Sequence, residues 1–169
     1  MSSKDSINNE LKSLRKEFDL EKKTDISLTP LSIKYLEEKL SNTDDQYEKV
    51  EFFRLLSMEY VRYGLNGKAT EVYMLRCELF PEDPLSWIAL AEHNIWYEEN
   101  YIDAKVAAEI AIKKANANGK FIRHAYNNLA RAAKGQKDYD LLEKTLKKLL
   151  TIQNKWGQTP LKEALRMLF

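Results

Sequence analysis

The sequence is poor in the residues that build disulfides, metal sites and frequent turns. It has one cysteine, Cys77, two histidines, five glycines and four prolines in 169 residues. A single cysteine excludes an intrachain disulfide and a cysteine-only metal cluster, and it suits a reducing compartment such as the cytoplasm. Few glycines and prolines, together with 31% charged residues, favour long solvated helices over a sheet with many turns.

The sequence also lacks an excess of charge and a long apolar run. Lysine and arginine number 27 against 26 aspartate and glutamate residues, which leaves a net charge of +1. Such a balance gives no general attraction to nucleic acid or to an anionic membrane. No apolar run approaches the roughly 18 residues that a membrane-spanning helix needs. We therefore expect a cytoplasmic protein with no membrane contact.

Signals of catalysis and of cofactor binding are missing as well. His93 and His124 have no second histidine or glutamate at metal-ligand spacing, and the chain contains no glycine-rich phosphate loop. Cys77 is expected to be a packed and unreactive thiol. The sequence thus predicts no enzyme activity, no metal and no cofactor.

Lysine clusters in the last third of the chain raise the alternative of nucleic-acid binding. They include Lys113 and Lys114, and further on Lys144, Lys147 and Lys148. Acidic residues are interleaved with them, as is typical of a solvated helical face. We therefore expect no nucleic-acid partner.

The first 49 residues are predicted to form an N-terminal extension of two helices. In the first, Ile7, Leu11, Leu14 and Phe18 recur at helical spacing and make one apolar stripe. This stripe has three alternative uses: a cap on the rest of the fold, a filling for the protein's own groove, or a homodimer contact. A polar break at residues 41–45 ends the extension, with a capping box predicted at Thr43 and Gln46.

A pattern of a large residue, a leucine and a small residue recurs three times after the extension. The three sets are Phe53, Leu56 and Ser57, then Trp87, Leu90 and Ala91, then Tyr126, Leu129 and Ala130. This pattern resembles the tetratricopeptide repeat (TPR), a helix-turn-helix unit of about 34 residues. The resemblance covers residues 50–156, with repeats at 50–83, 84–118 and 123–156. Residues 157–169 are predicted to form a C-terminal capping helix.

The resemblance implies an all-α, right-handed superhelix of antiparallel helix hairpins whose first helices line a concave groove. Carrying the motif positions over predicts that the groove has an apolar middle and basic ends. Its predicted residues are Arg54, Met58, Arg62, Leu85, Ile88, Glu92, Ile95, Trp96, Asn127, Arg131 and Lys134. Such a groove suits a peptide or amphipathic helix with a hydrophobic anchor and acidic flanks. The alternative is that its apolar residues are core.

The resemblance therefore implies non-catalytic protein binding, as an adaptor, an assembly factor or a chaperone-like partner. The layout of three repeats with helical extensions resembles that of bacterial secretion translocator chaperones, although no motif supports that likeness. An immunity protein that neutralises a toxin is an equally compatible alternative, and a nucleic-acid-binding protein is the less favoured one.

Overall fold

Helices account for all the regular structure of residues 3–21, 30–115 and 120–153, the part of the chain that the computed structural model describes. The all-α prediction is confirmed for these ranges. In chain order the helices are α1 (Ser3–Glu21), α2 (Leu31–Asn42), α3 (Gln46–Arg62), α4 (Asn66–Leu79), α5 (Pro84–Trp96), α6 (Tyr101–Lys114), α7 (Lys120–Gly135) and α8 (Tyr139–Gln153). None of them is both long and apolar enough to cross a membrane. The predicted C-terminal capping helix, 157–169, lies outside the described residues.

Two aspartates define where α3 and α5 begin. The Asp45 carboxylate accepts hydrogen bonds from the backbone N–H groups of Tyr47 and Glu48, so α3 starts at Gln46, before the predicted first repeat. The predicted capping box was wrong, because Thr43 instead donates a hydrogen bond from its hydroxyl to Glu48. Asp83 caps α5 in the same way as Asp45 caps α3.

The chain divides into two compact units, Met1–Ala69 and Thr70–Phe169. The boundary lies within α4 and therefore inside the first predicted repeat. In the first unit, α2 packs between α1 and α3. Leu11 and Phe18 of the predicted stripe are buried, and Phe18 meets the ring of Tyr63 edge-on at 5.4 Å. The N-terminal helix thus uses its apolar stripe for packing.

The second unit is a series of helices in which each packs against the next. The turns that join α5 to α6 and α7 to α8 are short, which places these helices as antiparallel neighbours. α7 also packs against α5, and the Asn128 side chain on α7 donates a hydrogen bond to the Ile88 carbonyl on α5 at 3.3 Å. The unit is repeat-like, because one hairpin lies beside the next.

The small residues of the three predicted repeats are all fully buried. Ser57, Ala91 and Ala130 each have 0% of their surface exposed. Ala91 belongs to a cluster with Leu90, Ala107, Ala108, Leu129 and Cys77, and Ala130 belongs to a second cluster with Ala133, Leu142, Leu146 and Leu149. The small side chains are therefore part of the packed interior, and Ala91 and Ala130 lie between neighbouring helices.

Candidate protein-binding site

An exposed tryptophan beneath an arginine marks the surface that α5 and α7 share. Trp96, the last residue of α5, has 60% of its surface exposed. The guanidinium of Arg131, on α7, lies 5.2 Å from the centre of the indole ring, within the range of a cation–π interaction. Lys134 follows one helical turn after Arg131 and is also exposed. An aromatic and two cations thus share one surface.

Trp96 ends an exposed ridge along α5. Leu85, Ala89, Glu92 and Trp96 follow one another at steps of four, three and four, and so lie on one face of the helix. Leu85 is 39% exposed, whereas Ala89 and Glu92 are half-buried. The ridge is about 16 Å long at 1.5 Å per residue, which equals about three helical turns.

Three of the predicted groove residues are instead buried between helices. Ile88 packs with Ala111 and Ala125, and Ile95 packs with Ala104 and Ala132. Asn127 is 7% exposed. These residues hold the hairpins together, so the alternative that apolar groove residues are core describes Ile88 and Ile95. The surface left to a ligand consists of Leu85, Glu92, Trp96, Arg131 and Lys134.

The other predicted groove residues lie on α3, in the first unit. Arg54 donates hydrogen bonds to Glu51 at 2.7 and 3.0 Å, and one of its nitrogens lies 3.1 Å from the sulfur of Met58. Arg62 donates to Glu59 at 3.3 Å. Met58 is 47% exposed. Both arginines are therefore already paired with carboxylates of their own helix, and the i, i+3 spacing of these pairs is visible in the sequence.

Tyr97, an exposed aromatic residue beside Trp96, was not among the predicted groove residues. Its ring stacks on the buried ring of His93 at 5.5 Å. The Nε2 atom of His93 lies 2.9 Å from the Thr70 hydroxyl, and the ring of Tyr73 is 5.0 Å away. His93 therefore joins α4 to α5. Within the described ranges, no three His, Cys, Asp or Glu side chains are grouped to hold a metal ion.

Arg76 and Cys77 are buried side by side on α4. The guanidinium of Arg76 donates a hydrogen bond to the Asp83 carboxylate at 3.2 Å, which ties α4 to the start of α5. Burial raises the pKa of the Cys77 thiol to about 12, although the neighbouring Arg76 opposes the shift. The thiol is thus protonated at neutral pH and unreactive, as a packed thiol is expected to be.

No family model matches this chain, and no curated protein is similar to it. The resemblance to the tetratricopeptide repeat thus depends on the residues of this sequence alone.

Proposed function

We propose that the chain is a TPR-like protein-binding module that holds a peptide or helix of another protein on the surface of α5 and α7. Its three predicted repeats would stack as hairpins into a superhelix. The burial of Ser57, Ala91 and Ala130 at equivalent motif positions supports this arrangement, as does the packing of α7 on α5. The single buried thiol fits a reducing compartment, and the proposal places the protein in the cytoplasm.

The observation that carries the proposal is the pairing of Trp96 with Arg131. Tryptophan and arginine are, with tyrosine, the residues enriched among those that dominate binding energy in protein interfaces. An exposed indole that an arginine already holds in place loses little freedom on binding. Leu85 extends the apolar contact along the same ridge, and Lys134 adds a second cation. The matching ligand carries an apolar anchor beside acidic side chains.

The test compares two variants in which an exposed aromatic residue of the second unit is replaced by alanine. Trp96→Ala removes the proposed anchor, whereas Tyr139→Ala removes an aromatic on α8 that is 67% exposed. Tagged wild-type and variant proteins are incubated in native lysate, and the recovered proteins are quantified by mass spectrometry. Loss of an interface anchor costs about 2 kcal/mol or more, so Trp96→Ala is expected to weaken binding about 30-fold and to lower recovery of the partner. Tyr139→Ala is expected to leave it unchanged.

Equal recovery with wild type and with Trp96→Ala would overturn the proposal for this surface. Circular dichroism of both variants establishes that they remain folded, which the exposure of both side chains leads us to expect.

A further inference from the structure

A second surface of the molecule is a groove between α6 and α8. Its cavity measures about 660 Å³, and α7 forms its floor. The floor is apolar: Tyr126 and Leu129 come from α7, Ile112 from α6 and Leu141 from α8. Leu141 and Thr151 are ten residues apart on α8, which gives the groove a length of about 15 Å.

Both banks of this groove carry lysines. Lys113 stands on α6, and Lys144, Lys147 and Lys148 stand on α8, all with exposed side chains. The lining has one acidic residue, Glu109. Lys147 also forms an ion pair with Glu143, four residues earlier on α8, and both side chains are exposed. The groove is therefore a strip of apolar surface with three lysines along its α8 bank and with Lys113 beside Glu109 on its α6 bank.

The groove between α4 and α6 has the same construction and the opposite charge. Its floor contains Trp87 and Leu90, which stand 39 residues before Tyr126 and Leu129. Its cavity is about 310 Å³, and its charged lining residues are Glu98 and Asp103. Three of the four groove lysines lie on α8 of the third predicted repeat, so the positive charge does not follow from the fold that the two grooves share.

This lining matches a ligand that has an apolar strip with several negative charges on the side that faces α8 and one on the side that faces Lys113. Proteins that bind single-stranded nucleic acid stack the bases on exposed aromatic rings, but Tyr126 is packed against both neighbouring core clusters. A peptide helix of about ten residues has the length of the groove and presents its side chains in this arrangement.

We propose that the groove between α6 and α8 binds an acidic amphipathic helix of another protein. The apolar side chains of that helix lie on the floor, and its carboxylates lie between the lysines of the two banks. This surface is distinct from the ridge of Trp96, so a result that contradicts one proposal does not contradict the other.

The experiment selects ligands without assuming their sequence. A phage-displayed library of random 16-residue peptides is panned against the full chain, and the selected peptides are synthesised and titrated by fluorescence anisotropy. We expect peptides with three or more Asp or Glu residues around leucines. Lys144→Glu/Lys148→Glu is expected to weaken their binding at least tenfold, and 0.5 M salt is expected to weaken it as well. The Trp96→Ala variant is expected to bind them like wild type.

A matched control has the same change in charge at the same spacing on another helix. Lys12→Glu/Lys16→Glu reverses two exposed lysines on α1, four residues apart, and is expected to change affinity less than twofold. Three results would overturn the proposal: no peptide is selected, the selected peptides are not acidic, or both double variants weaken them equally. Tighter binding of a 16-nucleotide single-stranded RNA, lost in Lys144→Glu/Lys148→Glu, would also overturn it by assigning the groove to nucleic acid.

Discussion

Arg15 and Glu59 form a two-pronged ion pair that joins α1 to α3. The guanidinium donates to both oxygens of the Glu59 carboxylate, at 3.0 and 2.5 Å. The Ser32 hydroxyl on α2 donates to the same carboxylate at 2.7 Å, and only 1% of the Glu59 surface is exposed. One carboxylate thus connects α1, α2 and α3.

Glu59→Gln is expected to destabilise the first unit by about 2–3 kcal/mol. The amide cannot accept both hydrogen bonds from Arg15, and breaking a buried ion pair leaves a charge without its partner. Glu51→Gln is the control, because it removes a partly exposed i, i+3 pair with Arg54 that contributes about 0.5 kcal/mol or less. Hydrogen exchange measures the protection of the α3 backbone amides in both variants. Equal protection of α3 in the two variants would contradict this role of Glu59.

The first unit is expected to lose stability in acid. Burial favours the protonated form of Glu59, but hydrogen bonds from Arg15 and Ser32 outweigh it and lower the pKa below its ordinary value of 4.5. The unfolded chain then binds the proton first as pH falls. The stabilisation is complete above pH 4.5 and is lost as pH falls through the pKa of the folded state. Urea titrations from pH 7 to pH 3 should show this fall, and Glu59→Gln should flatten it.

The two capping aspartates are expected to differ in their contribution to stability. Asp45→Ala removes an exposed helix cap and should destabilise by about 1 kcal/mol. Asp83→Ala removes a cap and also the partner of the buried Arg76 guanidinium, so we expect about 3 kcal/mol. Chemical denaturation followed by circular dichroism compares the free energies of unfolding of the two variants. An Asp83→Ala variant that is no less stable than Asp45→Ala would show that the Arg76 pair contributes nothing.

Replacing each of two helical glycines by alanine should change the stability of the protein in opposite directions. A Cβ atom at Gly135 would lie 2.3 Å from the Cδ1 atom of Tyr101, so Gly135→Ala must displace that ring and should destabilise by about 1–3 kcal/mol. A Cβ atom at Gly67 meets no atom within 4 Å, and Gly67→Ala should stabilise by up to about 1 kcal/mol. Thermal unfolding of both variants decides this, and shifts of the same sign would contradict the packing of Tyr101 on Gly135.

Local pattern predicted the parts of this fold that depend on one helix at a time. The stripe with Leu11 and Phe18 is buried as its spacing indicated. Ser57, Ala91 and Ala130 were recognisable because a small residue beside a leucine recurs in three places. In each case the signal lies within a few neighbouring residues.

Features that depend on residues far apart in the chain could not be predicted from local sequence pattern. Glu59 looks like an ordinary solvated residue, and its burial depends on Arg15, 44 positions away. Ile88 and Ile95 lie to one side of the Leu85–Trp96 ridge, and the packing of α6 and α7 covers them. Similarly, Lys113 and Lys144 face one groove because α6 and α8 flank α7.

The most direct test of the proposed binding surface is site-specific photo-crosslinking in cells. A benzophenone amino acid replaces Lys134, next to Arg131 on α7, and in a second variant it replaces Tyr139 on α8 as the control. If the surface of α5 and α7 binds a partner protein, irradiation should give a discrete adduct from position 134 that Trp96→Ala abolishes, and none from position 139. No adduct at position 134, or an adduct that persists with Trp96→Ala, would contradict the proposed function.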